Sequence, residues 1–260
     1  MRHLEQGSFS LWDTPFSRQE KGIPINGLIW MGDYNYMLEQ IETKLNQGFR
    51  CIKLKIGAIN FEKEIELLSI IRKRYPANKV ILRVDANGAF STSDALSKLE
   101  RLAELDLHSI EQPIKAGQWG EMAKLTAETL LPIALDEELI GINNPDEKKR
   151  LLETIKPQYI ILKPTLHGGF HGCNEWIKLA ESMNIGWWIT SALESNIGLN
   201  AIAQWCATFD PQIPQGLGTG GLYTNNVDMP LQIKEDCLWN SAGKKDAGTL
   251  YLQELITHNP

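Results

Sequence analysis

Apolar and polar positions along the chain follow two different periods. Short apolar runs typical of buried strands alternate with longer stretches in which apolar residues recur every three or four positions, as in amphipathic helices. CIKLKIG (51–57) shows the first pattern, although two lysines interrupt it. FEKEIELLSIIRKRYP (61–76) shows the second, with Ile65, Leu68 and Ile71 on one helical face.

Eight segments are predicted to be strands and seven to be helices. The strands are 27–32, 51–57, 79–88, 108–114, 132–139, 159–169, 186–195 and 213–221. The helices are 34–48, 61–76, 91–106 (with a serine or threonine N-cap), 118–130, 144–157, 174–184 and 198–208. This alternation predicts an α/β fold with a parallel sheet covered by helices, either a closed barrel or an open sheet. The chain has neither a GxGxxG after its first strand nor a P-loop, which disfavours the nucleotide-binding open folds.

Composition narrows the setting without changing this picture. The 260 residues are 43% hydrophobic and 22% charged, as in an ordinary globular protein. A net charge of −6 argues against nucleic acid as a partner, and no apolar run approaches the roughly 18 residues of a membrane helix. The N-terminus lacks an apolar signal region, and four separated cysteines indicate reduced thiols, so we expect a cytoplasmic protein. We expect an irregular lead-in over 1–26, a barrel over 27–226 and a tail over 227–260 that packs on the barrel.

Charged residues recur where the predicted strands end. Lys53 and Lys55 share one face of the second strand, and the next four strands carry Asp85, Glu111, Asp136 and Lys163. From Lys55 onward the steps are 85 − 55 = 30, 111 − 85 = 26, 136 − 111 = 25 and 163 − 136 = 27. One such residue per strand–helix unit predicts that all of them lie at the C-terminal rim, where barrel active sites are built.

The three acidic residues predict a metal site. Converging carboxylates repel one another unless a cation neutralises them, and oxygen ligands favour Mg²⁺, or Mn²⁺, whereas zinc prefers His or Cys. A lysine beside a metal ion and another cation, shielded from water, has a lowered pKa and can act as a base.

The series KxK, Asp, Glu, Asp and Lys on successive strands resembles the enolase superfamily, in its muconate-lactonizing subgroup. The segments PINGLIWMG, LRVDANGAF, SIEQPI, ALDEEL, ILKPTLHGG and TSALESNIGLNAIAQ are most similar to the o-succinylbenzoate synthase family, from about Asp13 to about Asn226. The resemblance implies a TIM-type (β/α)8 barrel of the enolase C-terminal domain, (β/α)7β-like in its order.

The resemblance also implies a role for each rim residue. Lys55 is expected to remove the α-proton and return it to the leaving hydroxide, and Lys163 to stabilise the enediolate from the opposite side. The implied metal ligands are Asp85, Glu111 and Asp136.

Four further residues complete the implied site. Lys53 is expected to support Lys55, while Arg83, Asn87 and Ser191 are expected to line the substrate pocket. The implied reaction dehydrates a small-molecule carboxylate, a succinyl-hydroxycyclohexadiene carboxylate, to 2-succinylbenzoate in menaquinone biosynthesis.

Several alternatives stay open. The same two lysines would serve an N-acylamino-acid racemase or a dipeptide epimerase, and an uncapped barrel could bind metal or a partner without chemistry. His167 and His171 have the spacing of a zinc pair, although two intervening glycines favour a loop. GLGTGG (216–221) is either a phosphate cradle or, as we prefer, a glycine-rich turn.

The resemblance further implies an N-terminal α+β domain that caps the barrel mouth. Residues 1–26 are too few to form it, so we expect this chain to lack the cap. An uncovered mouth predicts self-association or binding of a separate capping segment, and weaker activity than in a capped relative, because water reaches the charges.

Overall fold

The computed structural model describes residues 10–241, so residues 1–9 of the predicted lead-in and residues 242–260 of the predicted tail lie outside the described part. The chain forms two compact units. The larger is Asn26–Trp188, and the smaller combines Met1–Ile25 with Ile189–Pro260. In the described residues, every helix is too short or too polar to cross a membrane.

A parallel sheet organises the larger unit. Its seven strands neighbour one another in chain order: β2 (Gly27–Ile29), β3 (Cys51–Lys55), β4 (Ile81–Asp85), β5 (Ser109–Glu111), β6 (Ile133–Leu135), β7 (Tyr159–Leu162) and β8 (Gly186–Ile189). A helix follows each of the first six: Tyr34–Asn46, Phe61–Arg74, Ala95–Ala103, Trp119–Glu128, Pro145–Ile155 and Gly169–Ser182. Sequential parallel pairing with intervening helices is the arrangement that the alternating pattern predicts.

Local sequence explains where several helices begin. Asn60 and Asn144 precede two of them; the side-chain oxygen of Asn60 accepts one backbone N–H of the first turn, and that of Asn144 accepts two. Pro145 stands at the first helical position, where its missing N–H costs nothing. The apolar faces of these helices cover a sheet whose β3 and β4 are almost wholly buried.

Strand register places the charged residues in two adjacent rows. Lys53 lies opposite Arg83, and Lys55 lies opposite Asp85, which in turn lies opposite Glu111. Because side chains two apart on a strand share a face, both rows occupy the same face of the sheet. The row of Lys55 lies at the C-terminal ends of the strands.

The smaller unit contains a sheet that sequence reasoning missed. Strands β9 (Leu231–Lys234) and β10 (Cys237–Asn240) form an antiparallel hairpin, and β1 (Ile23–Pro24) pairs with β10. The helix Asn196–Ala207 belongs to the same unit. β9 is mostly exposed, so this part of the predicted tail lacks the short buried apolar run by which the parallel strands were predicted.

Several predicted elements were wrong in detail. Residues 213–221 form no strand; only Gln215 and Gly216 make isolated bridges, to Ile25 and Thr190. The helix predicted over 91–106 begins after Asp94, without a side-chain cap, because the Ser91 hydroxyl bonds to the Asp94 carboxylate instead.

The helix predicted from 174 starts at Gly169, five residues early. Gly168 adopts φ 81° just before it, a conformation that glycine reaches without strain. The early start places His171 within the helix. The loop expected between His167 and His171 therefore ends at Gly168.

Candidate active site

A buried ion-pair cluster joins β3, β4 and β5. The Lys53 Nζ lies 2.5 Å from Glu111 Oε2 and 2.9 Å from Asp85 Oδ2. Asp85 is fully buried and Glu111 nearly so. The lysine therefore bridges two carboxylates on neighbouring strands, a contact that the β3–β4–β5 register makes possible.

Lys55 contacts the other side of the same cluster. Its Nζ lies 3.1 Å from Asp85 Oδ2 and 2.8 Å from Asn87 Oδ1, and 5.8 Å from the centroid of the Trp30 ring. Asp85 Oδ2 thus contacts both lysines of the KxK pair, and its negative charge offsets the repulsion between the two ammonium groups.

Lys163 pairs with Asp136 at the opposite end of the row, after β7. The Lys163 backbone N–H donates to His167 Nδ1 at 3.0 Å, and the His167 backbone N–H donates to the Lys163 carbonyl at 3.1 Å. These two bonds close the turn that presents Lys163. Because His167 is buried and its Nδ1 is an acceptor here, the structure favours this structural role over a zinc pair with His171, which is exposed.

Charge pairing sets the pKa directions in the cluster. Burial acts to lower the pKa values of Lys53 and Lys163, but the neighbouring carboxylates outweigh it and raise both. Burial would likewise raise the pKa of Asp85, yet the charges of Lys53 and Lys55 hold it below its ordinary value. Burial, with repulsion from Asp85, raises the pKa of Glu111 well above its ordinary value. A further positive charge near Glu111 would therefore stabilise its ionised form.

Two carboxylate oxygens in this row fit a divalent cation. Glu111 Oε1 and Asp136 Oδ1 are buried and have no hydrogen-bond partner. Unpaired anionic oxygens buried together are costly, and hard divalent ions prefer such ligands. Among residues 10–241, however, no three His, Cys, Asp or Glu side chains stand in a metal-holding arrangement. Asp85, Glu111 and Asp136 therefore follow one another along the strand ends, and lysine ammonium groups contact their carboxylates.

Arg83 and Ser191 occupy different surroundings. Arg83 is buried one row below Asp85, and its guanidinium carbon lies 4.0 Å from the centroid of the Trp188 ring. Ser191 belongs to the smaller unit, where its hydroxyl and that of Thr219 are 2.7 Å apart. The structure therefore gives Arg83 a packing contact within the larger unit and Ser191 a polar contact within the smaller one.

Asn87 is held by a residue that sequence reasoning did not single out. Its Nδ2 donates to Glu137 Oε1 at 2.9 Å, its backbone N–H donates to Asp85 Oδ1 at 3.1 Å, and its φ is 44°. An ionised carboxylate only accepts hydrogen bonds, so the amide nitrogen of Asn87 faces Glu137. The amide oxygen of Asn87 is thereby left facing Lys55. The available signal was the position of Glu137, directly after Asp136 in ALDEEL.

Comparison with known proteins agrees with this architecture. Residues 36–240 match the family described as Enolase C-terminal domain-like. The chain is 56% identical over 230 residues to an o-succinylbenzoate synthase of Desulfotalea psychrophila, covering 88% of this chain and 62% of that protein. It is 35% identical over 161 residues to an N-succinylamino acid racemase of Thermus thermophilus, covering 62% and 41% respectively.

The crystal structure of MenC from Desulfotalea psychrophila superposes with a TM-score of 0.84 at 54% identity, covering 90% of this chain and 64% of that one. These matches confirm the predicted (β/α) barrel class and the predicted superfamily, whose enzymes use a divalent metal ion. The chain spans 62% of the Desulfotalea psychrophila synthase and 41% of the Thermus thermophilus racemase, less than two thirds of either protein. Its sequence, its parallel sheet and its row of strand-end charges identify it as a member of the Enolase C-terminal domain-like family.

Proposed function

We propose that this chain carries the catalytic barrel of an o-succinylbenzoate synthase, a carbon–oxygen lyase acting on a small carboxylate. One observation carries the proposal: Lys55 and Lys163 pair with different buried carboxylates, Asp85 and Asp136, from positions separated by three strands. Two amines so separated can address opposite faces of one substrate carbon. The relative at 56% identity bears the name of this synthase, which supports the same reaction.

The proposed reaction begins with a proton transfer. The neutral amine of Lys55 takes the proton from the ring carbon that bears the carboxylate, and the C–H electron pair moves into the carboxylate to form an enediolate. The ammonium of Lys163 faces the growing negative charge. The electron pair then returns to form a ring double bond, and hydroxide leaves the adjacent carbon. It takes the proton from Lys55 and departs as water, leaving the aromatic 2-succinylbenzoate.

We propose Mg²⁺, or Mn²⁺, as the cofactor of this site. Asp85, Glu111 and Asp136 would hold the ion, and the unpartnered oxygens of Glu111 and Asp136 support this assignment. A divalent cation bound there would offset the carboxylate charge that raises the pKa values of Lys53 and Lys163, and would stabilise negative charge on a substrate carboxylate. Lys53 and Lys163 each have a flexible four-carbon stem, which lets their ammonium groups turn away from the carboxylates.

Racemisation of an N-succinyl amino acid is the second candidate. The Thermus thermophilus relative is named for that activity, and the Lys55–Lys163 pair suits both reactions. A racemase needs one lysine to remove the α-proton and the other to deliver a proton to the opposite face. Arg83 and Asn87, both in the larger unit, are proposed to line the pocket and to choose between the substrates.

Two assays on the same purified chain with Mg²⁺ test the proposal. We expect chromatography to detect 2-succinylbenzoate from the cyclohexadiene substrate, and polarimetry to detect slower or no loss of optical rotation from an N-succinyl amino acid. Racemisation without dehydration would replace the first candidate with the second. Turnover of neither substrate, by a folded chain that binds Mg²⁺, would favour a barrel without chemistry.

We also propose that the loops after the strands bind a second copy of this chain or a separate capping segment. Met31, Ile140 and Leu166 follow β2, β6 and β7, and each leaves more than a third of its surface exposed. Exposed apolar side chains on loops at the same end of the strands favour a protein partner. Light scattering should detect less self-association when all three are changed to serine; an unchanged mass distribution in a chain that does self-associate would contradict this surface.

A further inference from the structure

Gln112 follows Glu111 directly and bonds to the neighbouring strand ends on both sides. Its carbonyl accepts from the Gly88 N–H at 2.7 Å, beyond β4, and its own N–H donates to the Ala134 carbonyl at 2.9 Å, in β6. Its side-chain Oε1 accepts from the N–H groups of Asp136 and Glu138, at 3.2 Å each. One fully buried residue therefore joins the backbone segments that carry Asp85, Glu111 and Asp136.

The amide of Gln112 has one orientation that satisfies all its partners. Its Nε2 donates to the Ile114 carbonyl at 2.9 Å and to Glu138 Oε2 at 3.2 Å, and neither acceptor can donate. The amide oxygen must then face the two backbone N–H groups. Glu138 is fixed in turn, since its Oε1 accepts the Gly117 N–H at 2.7 Å.

The backbone of Gln112 is held in an unusual conformation. Its φ is 39°, in the left-handed region that residues with a Cβ rarely occupy. Such a conformation persists only where surrounding bonds hold it, and the bonds just described provide that restraint. It turns the chain just after Glu111 and directs the Gln112 side chain to the backbone of Asp136.

We infer that Gln112 is a positioning residue that sets Asp136 in register with Glu111 for a divalent cation. The inference rests on the proposed function, because it assumes that these carboxylates bind the ion. Gln112 acts through the Asp136 backbone rather than on substrate. A side chain of equal length without an amide would leave the Asp136 and Glu138 N–H groups buried and unpaired, and Asp136 free to shift.

The test compares Gln112→Met with the wild-type chain by calorimetric titration with Mg²⁺. We expect the dissociation constant to rise about 10- to 100-fold, the usual effect of losing a partner that orients a ligand. Thermal unfolding in EDTA should remain a single cooperative transition. Gln118→Met is the matched control, because the Gln118 amide donates to the nearby Lys115 carbonyl at a partly exposed position and its loss should leave Mg²⁺ affinity unchanged.

A second variant covers the case in which Gln112→Met does not fold. Glu138→Gln keeps Gln112 but cannot accept from both the Gln112 amide and the Gly117 N–H, so we expect about a tenfold weaker Mg²⁺ affinity. A lower melting temperature with wild-type Mg²⁺ affinity in the folded variants would show that Gln112 has only a structural role. That result would overturn this inference but not the proposed cofactor. A wild-type chain that binds no Mg²⁺ would overturn both the inference and the proposed cofactor.

Discussion

Lys53 and Glu111 form a buried ion pair in which the ammonium nitrogen lies 2.5 Å from a carboxylate oxygen. The lysine lies directly between two acids, since it also contacts Asp85. Together with Lys55, Lys163 and Asp136, these residues bring three ammonium groups against three carboxylates. Removing any one of the six leaves an uncompensated charge in a site largely withdrawn from water.

Replacing Lys53 with methionine should therefore destabilise the fold. The change preserves much of the side-chain volume but leaves Glu111 without its cation, and such a loss costs about 3–5 kcal/mol in the free energy of unfolding. Urea denaturation in EDTA measures it. Lys149→Met removes an exposed lysine that pairs with Glu153 and should cost less than about 1 kcal/mol. Equal, small effects of both changes would show that the buried pair contributes no net stability.

Alanine at Lys55 or at Lys163 should abolish turnover without unfolding the chain. Loss of a positioned proton-transfer group lowers the rate by about 10²- to 10⁴-fold, and Lys53→Ala should have a milder effect on the rate of the molecules that remain folded. The measurement is the turnover rate at saturating substrate, with circular dichroism to check folding. Lys149→Ala serves as the exposed control. Wild-type rates in folded Lys55→Ala would exclude this lysine as the base.

Metal binding should depend on the carboxylate row. We expect calorimetry to detect one Mg²⁺ site. It should be lost in Asp136→Asn, because the neutral amide lacks the negative charge that offsets the cost of removing water from the ion. Asp94→Asn changes an acid at a helix start whose partners are Ser91 and Lys98, and should leave the titration unaltered. Tight zinc binding that depends on His167 would contradict the ligand assignment, and so would Mg²⁺ binding that survives Asp136→Asn.

Stability should fall in mild acid because of His108. Burial, with repulsion from Arg83, lowers the pKa of His108 from 6.5 to about 4. The unfolded chain therefore binds more protons than the folded chain between these values. The stabilisation is complete above about pH 6.5 and is lost as the pH falls toward about 4, with a slope of up to about 1.4 kcal/mol per pH unit.

Urea midpoints measured between pH 7 and pH 4 check this prediction. His108→Phe keeps a ring against Tyr159, whose centroid lies 4.9 Å away, and should flatten the profile. The exposed His171→Gln is the control and should reproduce the wild-type slope. A His108→Phe profile as steep as wild type would assign the acid sensitivity to other groups.

Much of the barrel can be predicted from the sequence, because the patterns that indicate its strands and helices are local. A parallel strand buried on both faces is a short apolar run, and an amphipathic helix repeats every 3.6 residues; neither depends on distant contacts. The same reading fails for β9, β10 and residues 213–221. β9 is mostly exposed, and the bridges at Gln215 and Gly216 depend on residues far away in the chain, so neither segment shows the buried apolar run that marks the parallel strands.

The sequence by itself determined which residues meet at the strand ends. Parallel strands in chain order bring their C-terminal ends to one edge, so one charge per unit places Lys55, Asp85, Glu111 and Asp136 in a row. Only the tertiary structure decided which charges pair, that Arg83 packs on Trp188, and that Gln112 joins three strand ends. These contacts depend on inter-strand register and on side-chain reach across the sheet, and both are set by packing rather than by the period of any one segment.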